Sequence, residues 1–191
     1  MEKIENIDFN ALRDRAYQNA VKHGWYEEDT DVHHHLMMFV TELGEVVNAD
    51  RKRKYADRTM FEKNFDRPIT DPEGHWMFCY ETFIKDTVED ELADAVIRLL
   101  SFAGCQNYEI DNSLFSKELF DDFVDKFKDQ KMTTLLFCII IGLSDDNISL
   151  SDTIYFIISV AYMLYIDIFW HIEQKMKYNE MRPYKHGGKK Y

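Results

Sequence analysis

Glycine and proline are scarce in this sequence, with 7 glycines and 3 prolines among 191 residues. Few segments alternate apolar and polar residues with the period of two that a half-buried strand shows. Apolar residues recur instead at helical spacing along most of the chain. A β-rich fold needs many turn residues between short strands and is therefore disfavoured. The sequence predicts an all-α fold.

Cysteine is scarce as well. The three cysteines, Cys79, Cys105 and Cys138, are far apart and form no C-x-x-C pair. An odd, widely spaced set is typical of free thiols in a reducing compartment rather than of a disulfide framework. The first residues are polar and charged, which is unlike a signal peptide. We therefore expect a cytoplasmic protein.

Neither of the two long apolar runs has the length of a membrane span, which needs roughly 18–20 apolar residues. The run from Met132 to Leu143 is too short, and the run from Ile154 to Trp170 contains Asp167. We expect both runs to form buried core helices, the first of them apolar on all sides. No membrane contact is expected.

Positive charge is in deficit, because 23 Lys and Arg face 35 Asp and Glu, for a net charge of −12. Such a chain repels phosphates, which argues against a nucleic-acid polymer as partner. The same acidity suits a divalent cation. Hydrophobic residues at 46% and aromatic residues at 15% exclude a disordered chain. The length fits a single domain.

Capping residues mark the helix starts. Asp8 is a good N-cap, and Thr87 with Asp90 and Ser149 with Asp152 have the spacing of capping boxes. Together with the apolar periodicity, these signals predict helices from Asp8 to Gly24, Asp31 to Tyr55, Glu73 to Ile84, Thr87 to Gly104, Ser113 to Gln130, Met132 to Leu143, and Ser149 through Ile172. The tail after Pro183 is predicted to be non-helical.

Two acidic pairs, Glu42-Leu-Gly-Glu45 and Glu91-Leu-Ala-Asp94, are the main chemical signal. An i, i+3 spacing places both carboxylates of a pair on one side of a helix, here at the flank of an apolar stripe. If the two stripes pack together, four carboxylates converge and need a counter-charge, which Mg²⁺ or Mn²⁺ supplies. Either pair alone is also typical of a solvated helix face, so that interpretation stays open.

A di-iron carboxylate bundle is the obvious rival for paired acids on helices. Such a site needs Glu-x-x-His twice. No glutamate in the sequence has a histidine three residues later. The rival is largely excluded.

The C-terminal segment is basic, with six cations within sixteen residues: Lys175, Lys177, Arg182, Lys185, Lys189 and Lys190. Cations beside an acidic metal site are what a polyphosphate ligand needs. Basic residues at a helix C-terminus also complement the helix dipole, which is the simpler alternative.

These residues resemble a known family. Glu42-x-x-Glu45 and Glu91-x-x-Asp94, followed by Ala-Val-Ile-Arg98-Leu-Leu, resemble the motifs of the MazG-like all-α nucleoside triphosphate pyrophosphohydrolases. The ending Lys175-Met-Lys-Tyr-Asn179-Glu-Met-Arg182-Pro-Tyr-Lys-His186-Gly-Gly-Lys189 looks like the C-terminal segment of the bacterial and phage members.

The resemblance implies an antiparallel helical bundle that hydrolyses a nucleoside triphosphate, including a deoxy or non-standard one, to the monophosphate and pyrophosphate. It implies that Glu42, Glu45, Glu91 and Asp94 are catalytic ligands of Mg²⁺, with Mn²⁺ as a substitute. It further implies that Lys175 is catalytic and contacts the substrate phosphates, together with Asn179, and that Arg182 and Lys189 are additional phosphate contacts.

The resemblance covers residues 10–55, 85–108 and 170–191 of one domain spanning 1–191. An inserted helical elaboration is expected at about 109–169, and the Tyr55–Glu81 stretch is longer than usual. Ser101 stands where an acidic residue is expected. The apolar helix surface at 132–143 and 154–170 predicts a homodimer or a dimer of dimers. Two alternatives remain: a non-catalytic helical interaction protein, or a phosphohydrolase of another nucleotide such as a dinucleotide or alarmone.

Overall fold

The computed structural model describes residues 7–27, 31–64, 70–145 and 149–188. Within these ranges the secondary structure is helical and contains no strand, which confirms the predicted all-α class. The helices are α1 (Phe9–Lys22), α2 (Val32–Arg51), α3 (Arg58–Lys63), α4 (Pro72–Phe83), α5 (Val88–Cys105), α6 (Lys117–Phe127), α7 (Met132–Gly142), α8 (Leu150–Met163) and α9 (Ile168–Met181).

The predicted caps set most helix starts. The Asp8 carboxylate accepts from the backbone N–H groups of Asn10 and Ala11 at the start of α1. Ser149 and Asp152 form the predicted capping box of α8. The second predicted capping box is wrong in one half. The Thr87 hydroxyl accepts from the Asp90 N–H, but the Asp90 carboxylate accepts from the N–H of Asp86 instead of that of Thr87.

Helix α5 is the centre of the fold. It packs against α1, α2, α8 and α9, and it buries residues on all of its sides. Its partners supply a continuous apolar core that also includes parts of α6 and α7. To this core α2 contributes Phe39, Leu43 and Val46, and the residues contributed by α5 include Leu92, Ala95 and Leu99. Burying these stripes is the main force that holds the two acid-bearing helices together.

The long helix predicted from Ser149 through Ile172 is wrong. Helix α8 ends at Met163 and α9 begins at Ile168, and the two axes are bent by 114°. Tyr165 lies in the break with a φ of 59°, and Asp167 caps the new helix by accepting from the Trp170 N–H. No single helix in the described ranges is long and apolar enough to cross a membrane, although α8 and α9 together meet the length and composition criterion.

The expectation that Met132–Leu143 is buried on all sides is also wrong. Helix α7 buries Leu135, Leu136 and Ile139, but Phe137 and Ile141 are 61% and 56% exposed. The reason is that α7 lies at the edge of the fold, with α8 and α2 as its packing partners. Its second apolar face therefore has no helix against it among the described residues.

The stretch between α2 and α5 contains two helices, of which α3 is not predicted by the sequence patterns. Both helices pack around a second, aromatic cluster. Trp76 stacks on Tyr80 at 5.2 Å between ring centroids, and Tyr80 stacks on Tyr178 of α9 at 4.5 Å. This stack joins the elaboration to the helix that carries Lys175.

Candidate functional site

A cleft of about 780 Å³ lies where the C-terminal end of α1 meets α2, α5 and α9. Seven of the eight residues that the sequence predicts for the site line this cleft: Glu42, Glu45, Glu91, Asp94, Lys175, Asn179 and Arg182. The eighth, Lys189, lies outside the described residues. Packing of both α2 and α9 against α5 therefore brings together residues up to 140 positions apart (42 to 182) in the sequence.

Three of the four acids converge closely. Glu42, Glu91 and Asp94 each offer a carboxylate oxygen, and these oxygens lie within 4.8 Å of one another. The side chains of Glu42 and Glu91 are buried at the edge of the α2–α5 contact. Glu45 is exposed on the next turn of α2 and lines the same cleft, so it stands at the rim of the group rather than inside it.

Burial disfavours negative charge in this group. It raises the pKa of Glu42 to about 7, and the neighbouring Asp94 adds to the effect. Burial likewise raises the pKa of Glu91 to about 8. Burial also opposes ionisation of Asp94, but Lys175 and Arg98 outweigh it and hold the pKa of Asp94 below its ordinary value. An added cation would therefore favour the ionised form of two carboxyls in the group, those of Glu42 and Glu91.

The donor set fits Mg²⁺ or Mn²⁺. Both ions prefer oxygen ligands, and the three converging carboxylates provide them without histidine or cysteine. Zinc and iron sites, in contrast, generally include nitrogen or sulfur ligands. The chemistry of the residues therefore agrees with the predicted cofactor.

Lys175 faces the acids from α9. Its Nζ lies 2.9 Å from Asp90 Oδ2 and 3.2 Å from Asp94 Oδ2, and the side chain is buried. Burial favours the neutral amine, but the two carboxylates outweigh it and raise the pKa of Lys175 well above its ordinary value. The ammonium is therefore a fixed charge at the floor of the cleft.

Asp90 is a site residue that sequence reasoning assigned only to a cap. It is fully buried, and its carboxylate accepts from the Tyr80 hydroxyl, from the Asp86 N–H at 3.0 Å and from Lys175. A signal was present in the sequence, because Asp90 precedes Asp94 by four residues and therefore shares its side of α5.

Arg98 is the second residue that the site prediction missed. Its Nε donates to Glu42 Oε1 at 2.9 Å, which joins α5 to α2 across the cleft. Arg98 follows Asp94 by four residues, so helical spacing already placed it on the same side as the acids. Its partner Glu42 lies 56 residues away in sequence and gives no such signal.

The opposite end of the cleft is aromatic. The His35 ring lies between those of Tyr26 and Phe102, stacked at 5.3 and 5.0 Å between centroids. The Tyr26 hydroxyl is 2.9 Å from the hydroxyl of Ser101, the residue that stands where an acid was expected. Trp25 packs its ring edge against His186 in the C-terminal segment. This end offers flat apolar surfaces, in contrast to the acidic end.

Two asparagines of the cleft have side-chain oxygens without a partner in the described part of the chain. Asn19 and Asn179 line the cleft, and each has a buried side-chain Oδ1 with no hydrogen-bond partner among the described residues. An unpartnered buried amide is costly in a folded protein. Asn179, which the resemblance assigns to substrate, is therefore available to a polar ligand group.

The C-terminal segment closes the α1 side of the cleft. His23 Nε2 is 3.0 Å from the Arg182 carbonyl, and the Lys185 N–H donates to the His23 carbonyl at 3.0 Å. Gly24 has a φ of +80°, in the left-handed region that favours glycine, and a Cβ there would lie 2.5 Å from the Tyr184 ring. The prediction of a non-helical tail after Pro183 is wrong in part, because a single helical turn follows at Lys185–Gly188. Within it, His186 and Gly187 depart from helical geometry and have positive φ.

Comparison of the chain with protein-family models, with curated proteins and with solved structures found no match. The likeness to MazG-like enzymes therefore rests on the sequence motifs alone. The geometry of the cleft is an independent observation about what the residues can do chemically.

Proposed function

We propose that this protein is a Mg²⁺-dependent hydrolase that converts a nucleoside triphosphate to the monophosphate and pyrophosphate, with the antiparallel bundle architecture of MazG-like enzymes. The observation that carries the proposal is the meeting of Glu42, Glu91 and Asp94 with the Lys175 ammonium in one cleft. The volume of about 780 Å³ suits a nucleotide, since small-molecule sites usually measure about 300–1,000 Å³.

The acidic end would take the triphosphate. Glu42, Glu45, Glu91 and Asp94 would hold the cation, which neutralises phosphate charge and lowers the pKa of a bound water. One of these carboxylates accepts the proton of the attacking water. The resemblance implies attack at the α-phosphorus.

The cations of α9 and the C-terminal segment would bind the leaving group. Lys175 donates to oxygens of the departing pyrophosphate, and its fixed position means that little reorganisation is needed as charge develops. The unpartnered Oδ1 of Asn179 would accept a hydrogen bond from a sugar hydroxyl, and Arg182 adds a further positive charge at the rim. At the other end, Trp25 and Tyr26 offer rings on which a base can stack.

Pyrophosphate release from a panel of ribo- and deoxyribonucleoside triphosphates tests the proposal. In ¹⁸O-water, attack at the α-phosphorus places the label in the monophosphate, whereas attack at the γ-phosphorus places it in inorganic phosphate. Turnover of dinucleotides or alarmones alone would favour the phosphohydrolase of another nucleotide. No turnover of any of these compounds would favour the non-catalytic interaction protein.

Lys175→Ala is expected to reduce turnover by on the order of 10²-fold or more, because it removes a charge that stabilises the leaving group. Added Mg²⁺ should not restore the rate. Asp94→Asn should also lose activity but recover partly at high Mg²⁺, because it weakens a metal ligand. Lys177→Ala is the matched control, since Lys177 is exposed and lies over the Trp76 ring. Near-normal turnover of Lys175→Ala would contradict the assigned phosphate site.

Mg²⁺ is expected to raise the melting temperature of the protein. Binding to the folded state alone stabilises it by about 2.7 kcal/mol at a hundredfold excess over Kd, or about 5–10 °C for a chain of this size. Glu45→Gln should reduce this shift, whereas Glu62→Gln, a change at an exposed side chain of α3, should leave it unchanged. A melting curve that saturating Mg²⁺ and Mn²⁺ fail to move would contradict the metal site.

We also propose self-association, as the apolar surface of the sequence predicts. Phe137 and Ile141 lie one turn apart on the exposed face of α7, and a second copy of the chain is the partner that this face would take. Light scattering at micromolar concentration should show a dimer or larger species. A stable monomer would contradict this part of the proposal.

A further inference from the structure

Arg98 differs from the other cations of the cleft in its partner. Its Nε donates to Glu42 Oε1 at 2.9 Å, and Glu42 belongs to the group of three converging carboxylates. The Arg98 side chain is 37% exposed, whereas that of Glu42 is 7% exposed. A guanidinium at the cleft surface is thus held by a carboxylate at the cleft floor.

This ion pair opposes binding of a cation to the same carboxylates. A dication bound by Glu42, Glu91 and Asp94 would lie within a few ångströms of the guanidinium, and like charges at that distance repel. Glu42 therefore has two competing partners, Arg98 in the free protein and the metal ion in the loaded protein.

Lys175 shows why Arg98 is the cation that is released. Lys175 also contacts an acid of the group, Asp94, but it keeps a second partner, the fully buried Asp90. Arg98 has Glu42 as its ion-pair partner and no other acid within ion-pair distance among the described residues. When the metal ion binds Glu42, Lys175 stays paired with Asp90, and Arg98 becomes free to bind another anion.

We propose that Arg98 is a phosphate-binding residue that Glu42 holds in reserve until a metal ion binds. The inference rests on the proposed function, and the anion it assigns to Arg98 is the polyphosphate of the substrate. A guanidinium suits this role because its parallel N–H groups bind two phosphate oxygens at once. Metal loading would thereby prepare the cleft for the polyphosphate.

Calorimetric titration of Mn²⁺ into the nucleotide-free protein tests the first part of the proposal, the competition between Arg98 and a metal ion for Glu42. Arg98→Gln is expected to bind Mn²⁺ about 3- to 10-fold more tightly than the wild type, because it removes the competitor for Glu42. Arg182→Gln removes the same charge from the same cleft without breaking an ion pair to the acids, and it should change the affinity less than twofold. Equal effects of the two variants, or weaker Mn²⁺ binding by Arg98→Gln, would overturn the proposal.

Binding of inorganic pyrophosphate to the Mn²⁺-saturated protein tests the second part of the proposal, the binding of phosphate by Arg98. Here Arg98→Gln should bind about tenfold more weakly than the wild type, so the two affinities change in opposite directions. Arg98→Lys keeps the charge and tests the bidentate geometry, with an intermediate loss expected; it also serves if Arg98→Gln fails to fold. Unchanged pyrophosphate affinity in the variants would show that Arg98 is only a structural partner of Glu42.

The outcomes separate this inference from the proposed function. A wild-type protein that binds Mn²⁺ and pyrophosphate but hydrolyses no nucleoside triphosphate would refute the enzyme and leave the role of Arg98 to be decided by the two titrations. A wild-type protein that binds no Mn²⁺ would refute both.

Discussion

Helix α5 packs against four other helices, α1, α2, α8 and α9, whereas α7 packs against α8 and, less extensively, α2. The sequence of α5 contains five charged residues, and α7 contains none. Nevertheless, the charged helix is the buried one: α5 buries even Asp90, whereas α7 leaves Phe137 largely exposed. The difference teaches that the number of helices around a segment, rather than its apolar content, decides how deeply it is buried.

The comparison also separates two uses of a helix. In α5, apolar residues on most sides hold the helix in the core, and the remaining side presents acids to the cleft under tight constraint. In α7, no neighbouring helix of the described structure packs against the outward residues. Substitutions in the two helices should therefore lower the free energy of unfolding by very different amounts.

Asp90→Asn in α5 should have the largest effect on stability. It removes the nearer of the two carboxylate charges that pair with buried Lys175, while Asp94 remains at 3.2 Å. Breaking a buried pair typically lowers the free energy of unfolding by about 3–5 kcal/mol, and the lower end of this range is expected here. Asp86→Asn is the same chemical change at an exposed site that pairs with Lys54 and Lys85, and it should cost less than about 1 kcal/mol. Denaturant unfolding of the two variants measures the difference, and equal costs would break the comparison.

Leu100→Ala and Phe137→Ala compare the two helices through apolar residues. Leu100 is fully buried in α5, so its truncation should cost about 3 kcal/mol. Phe137 is largely exposed in α7, and its truncation should stay within about 0.5 kcal/mol in dilute protein. If the cost at Phe137 grows with protein concentration, a second copy covers α7.

The smallest expected effect is on the pH dependence of stability. The pKa of Glu91 is raised to about 8 and that of Glu42 to about 7, both from 4.5. Between pH 4.5 and these raised pKa values, the folded, metal-free protein binds more protons than the unfolded chain. Burial lowers the pKa of His171 to about 4, so this side chain raises the stability with pH until its unfolded form is neutral too. Above about pH 7 only the acids act, and the free energy of unfolding should therefore fall by about 1 kcal/mol or more between about pH 7 and pH 8.

Asp94 does not disturb this pH test. Its lowered pKa acts below its ordinary value of 3.8, outside the range. Denaturant unfolding in the presence of a chelator measures the slope. Glu91→Gln should remove most of it and Phe137→Ala none, whereas a flat or rising curve in the wild type would contradict the burial of the acids.

Much of the fold follows from local sequence signals. Asp8 and the Ser149–Asp152 capping box mark helix starts within the chain, and the helical periodicity predicts α1, α2 and α5 to within a few residues. The break between α8 and α9 escaped prediction because no proline or glycine interrupts the apolar residues there. After the break α9 packs against α5, and a local pattern contains no information about such a long-range contact.

The features of the site likewise divide into those that local sequence predicts and those that depend on the tertiary fold. The i, i+3 acids were predictable because each pair is local to one helix. The ion-pair partners of Asp90 and Arg98 were not predictable, because Asp90 contacts a lysine 85 residues away and Arg98 a glutamate 56 residues away. Such contacts depend on the tertiary arrangement, and the charges themselves read equally well as caps or solvated residues.

The 114° bend between α8 and α9 also has a consequence for the order of events during folding. A nascent chain that has emerged as far as Met163 already contains all four acids of the cleft but not Lys175. Bringing Lys175 back to Asp90 closes a loop of 85 residues, a step that costs conformational entropy and delays formation of the contact. Docking of α9 is therefore the step that brings a counter-charge to Asp90 and Asp94, whereas Glu42 can pair with Arg98 before that step.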